Sequence, residues 1–104
     1  MTELQIQRCE RCGTNTFPDR LWCPGCGAAD LSHRTAGPGR VEEETTLRRP
    51  PATAAQDESV RLGTVRLHAG PLVIARLAAD IRSGANVRLE RTTAGAIWAR
   101  AMPD

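Results

Sequence analysis

Two short motifs near the start of the chain decide its fold there: Cys9-Glu10-Arg11-Cys12-Gly13 and Cys23-Pro24-Gly25-Cys26-Gly27. In each motif two residues lie between the two cysteines, and ten residues separate Cys12 from Cys23. A two-residue spacer lets both thiolates of a pair reach one tetrahedral ion at about 2.3 Å. The glycine after each second cysteine permits the tight turn that this geometry needs. The pattern therefore predicts a structural Zn²⁺ bound by Cys9, Cys12, Cys23 and Cys26.

Two other uses of these cysteines stay open at this point. A rubredoxin-like iron site has the same four-thiolate shell, and redox-active dithiols also use the two-residue spacer. In each metal-bound case the protein fills all four positions, so no position is left for a catalytic water. A metal bound in this way holds structure, and it also removes every thiol nucleophile from the chain.

Composition places the chain among globular proteins. Its 104 residues are enough for one domain or two very small modules. The apolar share of 40% and the charged share of 25% exclude the low-apolar, high-charge signature of disorder. A net charge of +2 is too small to indicate a nucleic acid or an anionic membrane by itself. No apolar run approaches the roughly 20 residues of a membrane span, and Met1–Cys9 lacks the features of a secretory signal, so we expect a cytoplasmic protein with reduced cysteines.

The composition changes near Gly37-Pro38-Gly39, with all four cysteines before it and the Val-, Leu- and Thr-rich segments after it. We therefore predict a zinc ribbon over residues 1–36 and a barrel over residues 37–104. A module of fewer than about 40 residues rarely buries a sufficient core without a metal or disulfides. The first module is thus expected to depend on its cysteines.

Five segments of the second module have the β-branched content and partial alternation of strands. Gly63 interrupts the second of them and predicts a β-bulge there. The fold class is mostly β: a rubredoxin-like zinc ribbon followed by a five-stranded OB-fold barrel. An SH3-like barrel is the alternative. The predicted strands are Arg40–Arg49, Val60–His68, Gly70–Ala78, Asn86–Thr92 and Ala96–Ala101.

Few other residues suggest chemistry. His33 and His68 have no assignable catalytic partners and are expected in surface or turn positions. Glu42-Glu43-Glu44 is expected to form a solvated strand face rather than an acid–base pair. Neither a GxGxxG nor a P-loop sequence occurs.

Several large side chains admit two interpretations. Arg48 and Arg49 are either a phosphate-binding pair or two exposed charges at a strand end. Trp98 belongs either to the barrel core or to a partner interface. The apolar residues between the two cysteine motifs are expected to pack the small apolar face of the ribbon: Phe17, Pro18 and Trp22.

On these residues the chain resembles a zinc-ribbon and OB-fold family, long catalogued as a domain of unknown function and associated with acyl-CoA metabolism and thiolases. The ribbon resemblance rests on Leu4–Gly13, Phe17-Pro18 and Trp22–Gly27. The barrel resemblance rests on the glycine-led first strand Gly37–Val41 and on the Gly70-Pro71 hairpin. Eight residues precede Cys9, where members of the family often carry a helical segment.

The resemblance implies a small non-catalytic subunit that binds a thiolase-like, ketosynthase-like or hydratase-like enzyme in a hetero-oligomer. The partner would carry the reactive cysteine, and the barrel would support acyl-CoA chemistry in the complex. The alternative is a protein that binds single-stranded nucleic acid, because zinc ribbons and OB-folds both serve that purpose. That alternative is disfavoured, since such proteins need stacking platforms and the barrel carries one aromatic residue.

Overall fold

The computed structural model describes residues 2–49 and 58–102, and these residues form nine strands and no helix. None of them therefore forms a helix that could cross a membrane. The strands are β1 (Thr2–Glu3), β2 (Gln5–Cys9), β3 (Asn15–Thr16), β4 (Leu31–Thr35), β5 (Pro38–Arg49), β6 (Glu58–Leu67), β7 (Leu72–Leu77), β8 (Asn86–Arg91) and β9 (Ile97–Ala101).

The last five strands close into a barrel of the OB type, as the sequence predicts. They pair in the order β5-β6-β7-β9-β8, and β8 then pairs with β5 to complete the ring. The β7–β9 pairing is parallel, and the other pairings in the ring are antiparallel. Each of the five strands lies within two residues of its predicted bounds, because regular alternation marks strands clearly in this segment.

The barrel core follows from that alternation. Along β7, exposed and buried residues alternate at every position, so one face of the strand lines the interior. Two residues of the N-terminal part, Leu4 and Ile6, are also fully buried in the same cluster, and Phe17 packs against it. The buried cluster consists of Leu4, Ile6, Ala36, Val41, Val65, Leu67, Val73, Ala75, Leu77, Ile81, Val87, Leu89 and Ala99.

The first strand belongs to the barrel sheet rather than to the ribbon sheet. β1 pairs antiparallel with β8, with Thr2 opposite Arg91. The Leu4 N–H then donates to the Leu89 carbonyl at 3.0 Å, and the Ala36 N–H donates to the Leu4 carbonyl at 2.8 Å. The division into residues 1–36 and 37–104 stays a prediction, and these contacts show that the two parts share backbone pairing and core.

The ribbon itself is a three-stranded sheet with the order β3-β2-β4. Buried Gln7 on β2 holds the loop between the cysteine motifs, since its amide accepts from the Arg20 N–H at 2.7 Å and donates to the Arg20 carbonyl at 3.1 Å. The Asn15 side chain donates to the Ala69 carbonyl of the β6–β7 hairpin at 3.0 Å. The ribbon is thus connected to the barrel through Leu4, which precedes β2, and through Asn15 on β3.

The predicted β-bulge at Gly63 is wrong. Gly63 pairs regularly with Glu44 on β5 and Ala75 on β7, and the register shift lies on β5 between Val41 and Glu43. Gly63 is needed for a different reason: a Cβ at this position would lie 2.8 Å from Leu77 Cδ2 and 3.0 Å from the Glu43 carbonyl oxygen. Because Gly63 has no side chain, Leu77 can fill this end of the barrel core.

The segment between β7 and β8 is held by one arginine. Arg61 on β6 donates through its guanidinium to the carbonyls of Ala78, Ala79 and Ile81, and it forms an ion pair with Glu44 at 2.7 Å. These contacts let the segment close over the barrel end with Ile81 buried and without a helical turn.

Replacing Gly63 with alanine should lower the free energy of unfolding by about 1–3 kcal/mol, because the added methyl overpacks the core against Leu77. Urea denaturation of the purified chain measures the change. In the double variant Gly63→Ala/Leu77→Val the two costs should be less than additive, since valine has no Cδ atoms to meet the methyl. Strict additivity would show that the Leu77 contact is not the cause.

Candidate metal centre

The two cysteine motifs fold into matching knuckles. The Gly13 N–H donates to the Cys9 carbonyl at 2.9 Å, and the Gly27 N–H donates to the Cys23 carbonyl at 2.8 Å. Both glycines have φ of +79°, in the left-handed region that an L side chain rarely adopts. The turn that the sequence predicts after each second cysteine is therefore present twice.

The knuckles bring all four sulfurs together, within 4.8 Å of one another. Cys9 Sγ lies 3.6 Å from Cys26 Sγ, and Cys12 Sγ lies 3.5 Å from Cys23 Sγ. Four sulfurs placed about 2.3 Å from a common centre at tetrahedral angles are about 3.8 Å apart. The donor set therefore fits a tetrahedral ion with little adjustment.

The surroundings of the sulfurs shift the pKa values of two thiols in opposite directions. The Thr14 hydroxyl, 3.0 Å from Cys12 Sγ, lowers the pKa of the Cys12 thiol to about 6. The pKa of Cys26 is raised to about 12 despite the Ala28 N–H that stabilises its thiolate, because the adjacent Cys9 sulfur favours the protonated form. Four thiolates at this separation repel one another, and a divalent cation removes that repulsion.

The site has one buried side and one exposed side. Cys9 and Cys23 are buried, and Cys12 and Cys26 are exposed. The Gly25 N–H donates to Cys23 Sγ at 3.3 Å, as backbone amides around bound thiolates commonly do. Because protein sulfurs fill the shell, the metal can stabilise the ribbon but has no position for a substrate or a catalytic water.

The other residues singled out by the sequence do not join this site. His33 and His68 are exposed, as predicted, and His33 Nε2 lies 2.9 Å from an oxygen of Asp19. The backbones of Arg48 and Arg49 end β5 opposite Ser59 and Glu58 of β6, and their side chains lie outside the described part of the structure. Their proposed role in phosphate binding stays a prediction.

The expected packing within the ribbon is correct for one of three residues. Phe17 is partly buried against the barrel core, and its peptide bond to Pro18 is cis. Pro18 is exposed, and Trp22 is 61% exposed. Both residues flank Arg20, whose backbone bonds to the Gln7 side chain. Sequence reasoning missed Gln7, whose polar type on a predicted strand gave no signal of burial.

A known protein family matches the N-terminal part of the chain, which holds the four cysteines. Residues 3–32 match the family described as ChsH2, rubredoxin-like zinc ribbon domain. The N-terminal part of this chain is similar to a ChsH2-type zinc ribbon. Its cofactor is structural zinc, since the matching family is a zinc ribbon and the four cysteines cluster as such a site needs.

Relatives extend the similarity beyond the ChsH2-type ribbon. A DUF35 domain-containing scaffold protein of Pyrococcus furiosus is 32% identical over 87 residues, covering 79% of this chain. This chain spans 63% of that relative's length, which is less than two thirds. The family resemblance drawn from the sequence is thereby confirmed, for the ribbon and for the similarity to DUF35 proteins.

Solved structures show the same arrangement of ribbon and barrel. A chain of the structure described as Ltp2-ChsH2(DUF35) aldolase is 28% identical, with a TM-score of 0.75 over 95% of this chain and 84% of that chain. A protein of unknown function from the DUF35 family of Sulfolobus solfataricus shares the fold at 13% identity, with a TM-score of 0.62. That alignment covers 92% of this chain and 75% of the Sulfolobus chain.

The purified protein should carry one zinc ion per chain, measured by plasma mass spectrometry. Cys12→Ser should lose the metal and lower the melting temperature of the whole chain, because the free energy of metal binding, about 10–16 kcal/mol in such modules, is also free energy of folding. The loss should reach the barrel, since Leu4, Ile6 and Phe17 pack on its core. Thr14→Ser keeps the hydroxyl beside Cys12 and should keep the zinc. Stoichiometric iron, or zinc below about a fifth of one ion per chain, would contradict the assignment.

Proposed function

We propose that this chain is a non-catalytic accessory subunit that binds a thiolase-like enzyme and supports acyl-CoA thioester chemistry in the complex. The observation that carries the proposal is an exposed aliphatic surface on the outer face of β5, β6 and β7, defined here as the aliphatic face. It consists of Thr45, Leu47, Val60, Leu62, Thr64, Leu72 and Ile74.

Strand register makes the aliphatic face continuous. Leu47 lies opposite Val60, Thr45 lies opposite Leu62, and Thr64 lies opposite Ile74, so neighbours on three strands share one side of the sheet. The Leu47 and Ile74 side chains are 52% and 65% exposed. Contiguous apolar surface of this kind is uncommon on soluble monomers and is typical of protein interfaces.

The aliphatic face does not suit a nucleic acid. The outer face of the second and third strands, here β6 and β7, is the surface on which OB-folds bind oligonucleotides, and it then needs aromatic side chains for base stacking. The outward residues named above include no aromatic side chain. Glu43 and Glu44 are among the residues that line the cavity of about 220 Å³ beside Leu62 and Ile74. A protein partner fits this chemistry better than a polyanion.

Trp98 on β9 extends the aliphatic face toward a more polar region. Trp98 lies opposite Arg76 of β7 and outside the buried core cluster. The guanidinium carbons of Arg76 and Arg100 lie 5.9 and 5.8 Å from the centroid of its ring. Tryptophan and arginine are the residue types most enriched among the residues that dominate binding energy. This cluster supports an interface position for Trp98.

The chain offers little with which to catalyse a reaction itself. Its four thiols surround the metal, and the exposed His33–Asp19 pair has no nucleophile assigned to it among the described residues. The partner would therefore supply the reactive groups, and this chain would supply surface. Similarity to a protein described as a scaffold and to a chain of a ChsH2(DUF35) aldolase supports this division. A ketosynthase-like or hydratase-like enzyme is the alternative partner, and we place the hetero-oligomer in the cytoplasm.

The test is to identify and rebuild the complex. Tagged chain is purified from its native cell, the protein that elutes with it is identified by mass spectrometry, and both are then produced separately and mixed. We expect a thiolase-fold enzyme whose carbon–carbon bond chemistry on an acyl-CoA depends on this chain. Elution of the tagged chain alone at every salt concentration, or such activity from the isolated small chain, would refute the proposal.

Trp98→Ala should weaken binding to that enzyme by about 2 kcal/mol or more and should change the melting temperature of the free chain little. Trp22→Ala is the matched control, because it removes an equally large exposed ring from the ribbon loop. It should leave affinity nearly unchanged. A large thermal loss in the free Trp98→Ala chain, with affinity intact, would instead give the ring a role in barrel stability.

Titration with a labelled single-stranded oligonucleotide tests the alternative function. We expect no micromolar binding at physiological salt, because the aliphatic face lacks stacking residues and the net charge is only +2. Micromolar binding whose logarithm falls steeply with the logarithm of salt concentration would favour the nucleic-acid hypothesis.

A further inference from the structure

One edge of β5 lacks a neighbouring strand over most of its length. On one side β5 pairs with β6 from Gly39 to Arg49. On the other side β8 pairs only with Pro38–Arg40, and Val41 bonds to the Gly84–Ala85 backbone. Within the described part of the chain, no strand pairs with that edge from Glu42 to Arg49. We call this segment the free β5 edge.

The free β5 edge lies on an extension of the barrel. β7 pairs with β6 only as far as Leu62, so the remaining residues of β6 pair with β5 alone. A two-stranded β-sheet, such as β5 and β6 form here, is marginally stable by itself, and a further strand stabilises it. Unpaired edges are also the usual sites at which strands from another chain add. The extension is therefore suited to receive one more strand.

The sequence of the free β5 edge is self-complementary in charge. It reads Glu42-Glu43-Glu44-Thr45-Thr46-Leu47-Arg48-Arg49, with acidic residues at one end and basic residues at the other. A second copy that lies antiparallel to it brings the acidic end of each strand against the basic end of its neighbour. Opposite charges directly across an antiparallel pair stabilise it. Scattered charges of one sign would instead repel a second copy.

Geometry restricts the register, and the charge pattern then selects it. Two antiparallel strands related by a twofold axis perpendicular to the sheet place outward residues opposite outward residues, so facing positions must both be odd or both be even. With Thr46 on the axis, Glu43 faces Arg49, Glu44 faces Arg48, and Thr45 faces Leu47. Each pairing then occurs twice in the dimer.

The ion pairs within one chain involve Glu42 and Glu44 and leave Glu43 for a second copy. Glu42 pairs with Arg66 at 3.6 Å, and Glu44 pairs with Arg61 at 2.7 Å. Glu43 is exposed and has no ionic partner among the side chains that the structure describes. In the proposed register, position 49 of the second copy, an arginine, lies opposite Glu43.

We propose that two copies of this chain pair antiparallel through their free β5 edges, with the twofold axis at Thr46. The pairing joins the two barrel sheets and places the aliphatic faces side by side, since Thr45 and Leu47 of both copies lie on the same side of the joined sheet. It does not depend on the function proposed above.

Charge reversal tests the pairing by sedimentation equilibrium over a range of protein concentrations. The wild-type chain should dimerise, and more weakly as salt rises, because exposed ion pairs are screened. R49E brings a carboxylate against Glu43 twice in each dimer and should raise the dimer Kd about tenfold or more. E43R should do the same. The double variant E43R/R49E restores opposite charges and should recover dimerisation.

Matched controls separate the register from general charge effects. R20E changes the charge as R49E does, and D80R changes it as E43R does, but these exposed residues lie in the ribbon loop and the β7–β8 segment. Both should dimerise as wild type. Since Arg49 also faces Glu58 of β6, thermal melts verify that each variant folds, and E43R carries the test if R49E does not. A wild-type chain that stays monomeric, single reversals that dimerise normally, or a double variant that does not recover would overturn the proposal. An enzyme strand found on this edge of a monomeric chain would overturn it as well.

Discussion

Four metal–thiolate bonds hold the N-terminal part of the chain in a shape that its few apolar residues could not maintain. The knuckles around Cys9 and Cys23 fix the ends of the loop between them, and the Gln7 side chain fixes its middle through Arg20. With the loop held in this way, Phe17 reaches the barrel core while Trp22 stays exposed. The loop between the metal ligands thus directs one aromatic side chain to the interior and leaves another outside.

The ribbon and the barrel are structurally coupled, because residues of the N-terminal part are buried in the barrel core and pair with its backbone. Leu4, between β1 and β2, and Ile6, on β2, are buried among barrel side chains. The β1–β8 pairing and the Leu4–Leu89 hydrogen bond add a backbone connection. We therefore expect loss of the metal to destabilise the barrel as well, although all four ligands belong to the N-terminal part. This coupling adds rigidity to the surface of a small protein, and a rigid surface loses less entropy on binding.

A single strand, β5, faces three environments. Val41 packs inside the barrel, Thr45 and Leu47 belong to the aliphatic face, and the backbone from Glu42 onward forms the free β5 edge. The register shift between Val41 and Glu43 changes which residues point outward and so aligns Leu47 with Val60. One irregularity in the strand therefore prepares both the surface that we assign to an enzyme partner and the edge that we assign to a second copy.

The sequence by itself determined the metal ligand set and the five barrel strands. Spacing of cysteines and alternation of apolar residues are local properties, and local sterics allow few conformations that satisfy them. Only the tertiary structure decided the position of the register shift, the burial of Gln7, the exposure of Trp22 and the location of Trp98 outside the core. Two of these features involve contacts between residues that are distant in sequence: the Gln7 side chain bonds to the Arg20 backbone, and Trp98 lies opposite Arg76. Pairing between strands far apart in sequence leaves no periodic signal in either one, so such contacts become visible only when the barrel closes.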